Sequence, residues 1–230
     1  MRKVDPSDVC DEFRDEIAAL RQFSERMSAL GPTKTERSRL VELTFHSAYV
    51  NAESFLSRWI IGAINRDSSA YTAFRANSIR ESVKSKYSAW DSSKTTYAPP
   101  AHIPVADLER LLDPEGWNLT FKDFATFREK CNSWLTAPYL AKINSVPQAV
   151  RHALDAAKAI RNCIAHRSKN SFDEMNTRLT GMPVGGVLDH LRTKVNAVTN
   201  VGSHLKTVVG GKARWEHYFD QFNLLQAKLR

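Results

Sequence analysis

The sequence predicts an all-α fold, and two long apolar stripes with the helix punctuation around them carry that prediction. From about Thr35 to about Asn65, residues Val41, Phe45, Ala48, Ala52, Phe55, Trp59 and Gly62 recur at intervals of three and four. Leu56 and Ile60 widen this stripe, which predicts a helix central to the core. From about Gln148 to about His166, residues Ala149, Ala153, Ala157, Ile160 and Ile164 repeat the spacing, with Pro147 placed as first helical residue. With 230 residues, 42% of them hydrophobic, the chain can bury a real core. It reads as one domain, 1–230, with core helices over 35–65 and 148–169, an insertion over 66–147 and further helices over 172–230. There is no internal repeat, and 9 glycines and 9 prolines are too few for a low-complexity protein.

The remaining elements follow in order. Asp5-Pro6 opens a first helix with a cap and an N1 proline; Phe13, Ile17, Leu20, Phe23 or Met27, and Leu30 form its stripe, and Gly31-Pro32 stops it. The stretch Ala70 to Trp90 predicts a helix carrying Tyr71, Phe74, Ile79, Val83, Tyr87 and Trp90. Asp91 to Pro100 reads as a loop by composition. Here Arg75, Arg80, Lys84, Lys86 and Lys94 interleave with Tyr87, Trp90 and Tyr97, either as an RNA-contacting surface or as a solvated helix face whose rings point into the core. The roughly helical spacing of the rings favours the second. A short helix from Val105 to Leu112 ends at Asp113-Pro114-Glu115-Gly116. Phe121, Phe124, Phe127, Cys131, Trp134 and Leu135 describe another helix, with Pro138 beyond its end. Phe172 to Leu179 gives a brief helix. A stretch with Leu188, Leu191, Val195 and Val198 is helical, and Gly210-Gly211 opens a last helix carrying Trp215, Tyr218 or Phe219, Phe222, Leu225 and Leu229.

A net charge of +8 and a pI near 9.5 point to an acidic partner, with nucleic acid first. No apolar run approaches the length of a spanning helix, and Met1 to Pro6 turns polar at once without an apolar signal core, so cytoplasm is the expected compartment and no membrane the expected partner. Cys10, Cys131 and Cys163 are odd in number and widely spaced, which predicts neither a disulfide framework nor a zinc site. Cys163 reads as a small buried residue rather than a nucleophile. Gly210-Gly211-Lys212 lacks the phosphate-loop spacing, the histidines form no metal-ligand pattern, and no Gly-x-Ser-x-Gly elbow occurs. Neither a metal nor another cofactor is expected.

The chemistry concentrates in Ala157 to Lys169, whose centre reads Arg161-Asn162-x-x-x-His166. It places a permanent cation, an amide and the one side chain that titrates near neutrality within six residues. On one ideal helix Asn162 and His166 share a face, whereas Arg161 and His166 are separated by about 140°. Either the helix ends or distorts just before His166, or the site is shared between two chains. The polar run from Arg167 to Ser171 favours a helix end there.

Set at the end of an apolar helical run, Arg-Asn-x-x-x-His resembles the HEPN superfamily, whose ribonuclease members carry Arg-x4-6-His, often with Asn after the Arg. The likeness covers Gln148 to Lys169. A weaker one covers Leu40 to Trp59, where Ala48 to Leu56 looks like a first core helix with an acid before an aromatic and a leucine. The resemblance implies a HEPN-like helical bundle with an inserted helical region and extra terminal helices. It implies a metal-independent endoribonuclease in which His166 is general base or acid, Arg161 clamps the phosphate and Asn162 holds His166 or the scissile group. It also makes Glu53 the acid that orients Arg161, against the alternative of a surface glutamate in an ordinary ion pair. His46, seven residues before Glu53 and on its face, reads as a structural histidine. Lys158, Arg167 and Lys169 are candidates for the RNA backbone. The partners implied are RNA, tRNA among them, a second copy completing a composite site, and a separate regulator as in toxin and antiviral defence systems. Some toxin members carry a Tyr two residues after the His that a partner modifies; Ser168 stands there. The competing reading is a non-catalytic HEPN-like scaffold that dimerises and binds RNA or a protein. A DNA-binding regulator ranks last, because no short helix-turn-helix is recognisable.

Overall fold

The computed structural model describes residues 3–98, 100, 102–116, 118–193 and 197–230. Its helices are α1 (Pro6–Ala29), α2 (Lys34–Arg66), α3 (Ser69–Lys86), α4 (Ala89–Lys94), α5 (Val105–Leu112) and α6 (Phe124–Trp134). They continue as α7 (Ala137–Ser145), α8 (Gln148–His166), α9 (Lys169–Thr180), α10 (Leu188–Leu191), α11 (Val201–Lys206) and α12 (Arg214–Leu229). The strands β1 (Val208–Val209) and β2 (Lys212–Ala213) pair antiparallel, Val208 opposite Ala213. With about 75% of the chain helical, the fold is all-α, as the stripes predict. Among the described residues no helix is long and apolar enough to cross a membrane.

The chain divides into two compact units, each made of separate stretches. The first joins Met1–Val9 to Leu56–Asn144, which takes in most of the expected insertion. Buried Asn65 organises its start: its side chain accepts the Val4 N–H at 2.9 Å and donates to the Ile103 carbonyl at 2.9 Å. Gly62 faces Val4 and Pro6, where a Cβ would come within 3.3 Å of the Val4 side chain. Trp59 meets Tyr139 edge-on at 5.9 Å, and Tyr71 meets Trp134 at 6.1 Å. The Ser57 hydroxyl accepts the Leu119 N–H at 3.1 Å.

The second unit joins Cys10–Phe55 to Ser145–Arg230. There α8 packs against α9, α10, α11 and α12, and small buried residues (Ala153, Ala156, Ala157, Ala159) allow the close approach. Phe45 and Tyr218 meet edge-on at 5.2 Å, and Phe13 stacks on Phe55 at 4.4 Å. Both Tyr218 and Phe219 of α12 are buried.

Several boundaries differ from the sequence expectation. The stripe of α1 buries Phe13 and Ile17, but Phe23, Met27 and Leu30 are exposed. The helix expected from Ala70 to Trp90 breaks at Tyr87-Ser88, and the loop expected from Asp91 begins only after Lys94, because the Ser88 hydroxyl accepts the Asp91 N–H and starts α4. Phe121 precedes α6, which Asp123 caps, although its ring still packs on Phe127 at 5.2 Å. Pro138 lies beyond the end of α6, as the sequence predicts, and it also falls in the first turn of a further helix, α7, where its missing N–H costs nothing. Pro147 is the N-cap of α8 rather than its first residue, and α9 reaches back from Phe172 to Lys169. The stretch from Leu188 is one helical turn ending at Leu191; Val195 lies outside the described residues. Gly210 and Gly211, at φ +59° and +83°, turn the hairpin instead of opening α12, and a Cβ at Gly210 would sit 2.7 Å from the His190 ring.

Buried His204 gives the second unit a pH dependence. Its Nδ1 lies 3.2 Å from an Arg214 Nη1 that only donates, so the ring accepts there and is neutral. Burial first, then the Arg214 cation, pushes its pKa down to about 3. The unfolded chain protonates this imidazole near pH 6.5 whereas the folded chain does not, so its contribution is complete above about pH 6.5 and is lost as pH falls toward 3. The urea midpoint should therefore fall between pH 6.5 and 4, and His204→Gln should make that fall shallower.

Candidate active site

Helix α8 is regular through His166, and the chain then reverses within two residues. Arg167 takes the left-handed conformation (φ 49°, ψ 26°) with its N–H on the Cys163 carbonyl at 3.0 Å. Ser168 caps α9 by accepting the Ser171 N–H at 3.2 Å, while its own N–H donates to the Ser171 hydroxyl at 3.1 Å. A β-carbon in the left-handed region costs about 1 kcal/mol. The turn brings the Arg167 guanidinium to Glu42, to which it donates at 2.6 Å.

Arg161 projects from the other side of α8 toward α2. Its Nη2 pairs with Glu53 Oε2, its Nη1 donates to Asn162 Oδ1 at 3.0 Å, and the guanidinium lies 5.4 Å from the centre of the Tyr49 ring. Its Nε is buried without a hydrogen-bond partner among the described residues. Burial, reinforced by the Glu53 carboxylate, raises the Tyr49 pKa far above its usual value, so the phenol keeps its proton. His46 lies half-buried on the same face of α2, and burial followed by the nearby Arg161 cation lowers its pKa. His46 is therefore a neutral imidazole close to a guanidinium and a carboxylate.

Glu42 holds the other end of the motif. Besides Arg167 it accepts Arg39 Nη1 at 3.3 Å and the Gly202 N–H at 3.0 Å, which ties α2 to α11. A cavity of about 60 Å³ lies between Glu42, Cys163, Ile164, Arg167 and Phe172. Cys163 is buried, and burial pushes its thiol pKa up to about 11, so it behaves as the inert packing residue its position predicts. A larger opening, about 460 Å³, lies along α8 and α9 between His152, Asp155, Glu174 and Arg178. Among the described residues no three of His, Cys, Asp and Glu converge as a metal site would require.

The structure thus brings Arg161, Asn162 and Glu53 together and leaves His166 apart from them. His166 is exposed at the helix end, and no hydrogen bond or ion pair links it to another described residue. Of the cations flanking the motif, Lys158 is half-buried on α8, Arg167 is held by Glu42 with half its side chain exposed, and Lys169 is exposed in the first turn of α9. Sequence reasoning passed over Glu42 and set His46 aside as structural. The signal for both was spacing, since Glu42, His46 and Glu53 fall on the α2 face that meets the motif. No family model, curated protein or solved structure matches the chain.

Arg161 and Glu53 are only 20% and 15% exposed, so breaking their pair strands a mostly buried charge. Glu53→Ala should destabilise the fold by about 2–4 kcal/mol in urea unfolding. The double variant Glu53→Ala/Arg161→Ala should recover part of that loss, giving a favourable coupling energy for the pair.

Proposed function

We propose that this chain is a metal-independent endoribonuclease of the HEPN type. The observation that carries the reading is Arg161, held by Glu53 and bonded to Asn162, on a helix whose last residue is exposed His166. The acid that the HEPN resemblance nominates for the arginine is the one that meets it. RNA supplies its own nucleophile, so the site must move a proton, neutralise the phosphorane and hold the strand. In the proposed reaction the 2′-oxygen attacks phosphorus as its proton passes to a histidine, and the P–O5′ bond breaks as that oxygen takes up a proton. The products are a 2′,3′-cyclic phosphate and a 5′-hydroxyl. His166 serves as one acid–base group and Arg161 as the transition-state cation, with Asn162 as the positioning amide.

Because α8 is regular through His166, one chain does not aim Arg161 and His166 at one phosphate. That favours the composite site, in which a second copy completes the constellation. Lys158, Arg167 and Lys169 line the approach for the RNA backbone. A toxin or antiviral role in the cytoplasm, restrained by a separate regulator, extends the same resemblance. The scaffold reading draws on the same ion pair, which is a complete structural link without any catalysis.

The readings separate on cleavage of total RNA and tRNA in EDTA. Arg161→Ala and His166→Ala should each lower cleavage by about 100-fold or more while circular dichroism stays native, and wild-type products should end in cyclic phosphate. His46→Ala reports whether the second proton is handled within one chain. Equal activity in all variants would discard the Arg161–His166 site, and no cleavage by any of them would favour the scaffold.

A further inference from the structure

The α3–α4 hairpin in the first unit leaves two large rings in solvent. Tyr71 and Phe74, early in α3, pack on Trp134 at 6.1 and 6.4 Å. Further along, the rings continue at helical spacing, but Tyr87 is 76% and Trp90 69% exposed. Their positions are fixed by the hairpin itself. The Ser88 hydroxyl caps α4, Ser92 Oγ donates to the Arg80 carbonyl at 3.0 Å, and Ser93 Oγ donates to the Trp90 carbonyl at 2.6 Å.

Arg80, Lys84, Lys86 and Lys94 are exposed on the same two helices as the rings or in their end turns. The hairpin's carboxylates offset only part of this charge, since Glu81 pairs with Lys84 alone. Glu81 lies 3.9 Å from Lys84, and Asp91 accepts the Ser88 hydroxyl at 2.6 Å. Lys86 and Lys94 make no ion pair with any described residue. Rings interleaved with unpaired ammonium groups match a polymer that alternates flat apolar faces with negative charges. A duplex hides those faces inside its stack, whereas a single strand presents them.

We propose that the α3–α4 hairpin is a binding platform for single-stranded nucleic acid, with Tyr87 and Trp90 stacking on bases and Lys84, Lys86 and Lys94 contacting phosphates. It uses none of the residues of the Arg161 and His166 site, and it stands whether or not those residues cleave RNA.

The test is fluorescence-anisotropy titration of a short labelled uridine oligomer, its deoxy counterpart and a duplex of equal length. The full-length His166→Ala protein is used so that no RNA is consumed. Tyr87→Ala and Trp90→Ala should each weaken single-strand binding between about five- and about a hundredfold and leave duplex binding unchanged. Lys84→Ala/Lys86→Ala should reduce the slope of log affinity against log salt by roughly 0.7 per lysine. Equal ring effects on the RNA and DNA oligomers would assign the platform to either strand, and an effect on one alone would name it. Ring variants that bind the oligomers as tightly as the parent, or a parent that binds neither, would overturn the proposal. So would a Tyr87→Ala/Trp90→Ala protein that keeps single-strand binding but loses self-association or vesicle pelleting, which would give the face to a second copy or a membrane. Cleavage of total RNA by the wild type is scored separately, so failure of the nuclease reading does not enter these titrations.

Discussion

Two mostly buried carboxylates on α2 set the arrangement of the second unit. Glu42 and Glu53 are eleven residues apart, within about 20° of three full helical turns, so both face the same side. A carboxylate out of water must find a cation or lose its charge. Each finds one in the motif stretch, Arg161 for Glu53 and Arg167 for Glu42. These pairs bind α2 to the C-terminal turns of α8 and fix their mutual register. Glu42 also accepts the Gly202 N–H, and Gly202 has no room for a side chain, since a Cβ there would meet the Ser38 carbonyl oxygen at 2.6 Å. One acid therefore seats both the end of α8 and the start of α11 on the same helix.

That constraint also decides which way the motif faces. With Arg161 drawn inward to Glu53, Asn162 and Tyr49, the remaining turn of α8 carries His166 outward. Arg167 then has to bend back to reach Glu42, and it does so in the left-handed conformation. The electrostatics of the inner group are self-consistent. The Arg161 cation keeps Glu53 paired and helps hold His46 neutral, while burial holds the proton on Tyr49. The exposed end carries a histidine beside Arg167 and Lys169. The motif is thus one stretch with two faces, an anchored cation and an open imidazole.

Where an apolar period runs long and its partner is close by, the sequence alone defines the element. Helices α2, α5, α8 and α12 begin and end within a residue or a few of where their stripes do. The errors have a common cause in information that periodicity lacks. Tyr87 and Trp90 keep helical spacing, but no core side chain meets them, and one serine hydroxyl was enough to break the helix. Gly210-Gly211 can open a helix or turn a hairpin, and here the pair turns the hairpin. The pairing of Glu53 with Arg161 spans 108 residues, and only the family likeness of both stretches proposed it. Glu42 with Arg167 spans 125, and no pattern nominated it.

Ser168 shows how tightly the same local geometry holds the residue after the turn. Here the hydroxyl accepts the Ser171 N–H and closes a capping box, and the residue completes the two-residue turn that begins at left-handed Arg167. A group added to its oxygen would compete with the first turn of α9 and disturb the turn that carries Arg167 to Glu42. Modification would thus act on the fold before it acted on a substrate. The same turn leaves His166 and Lys169 exposed on either side of it.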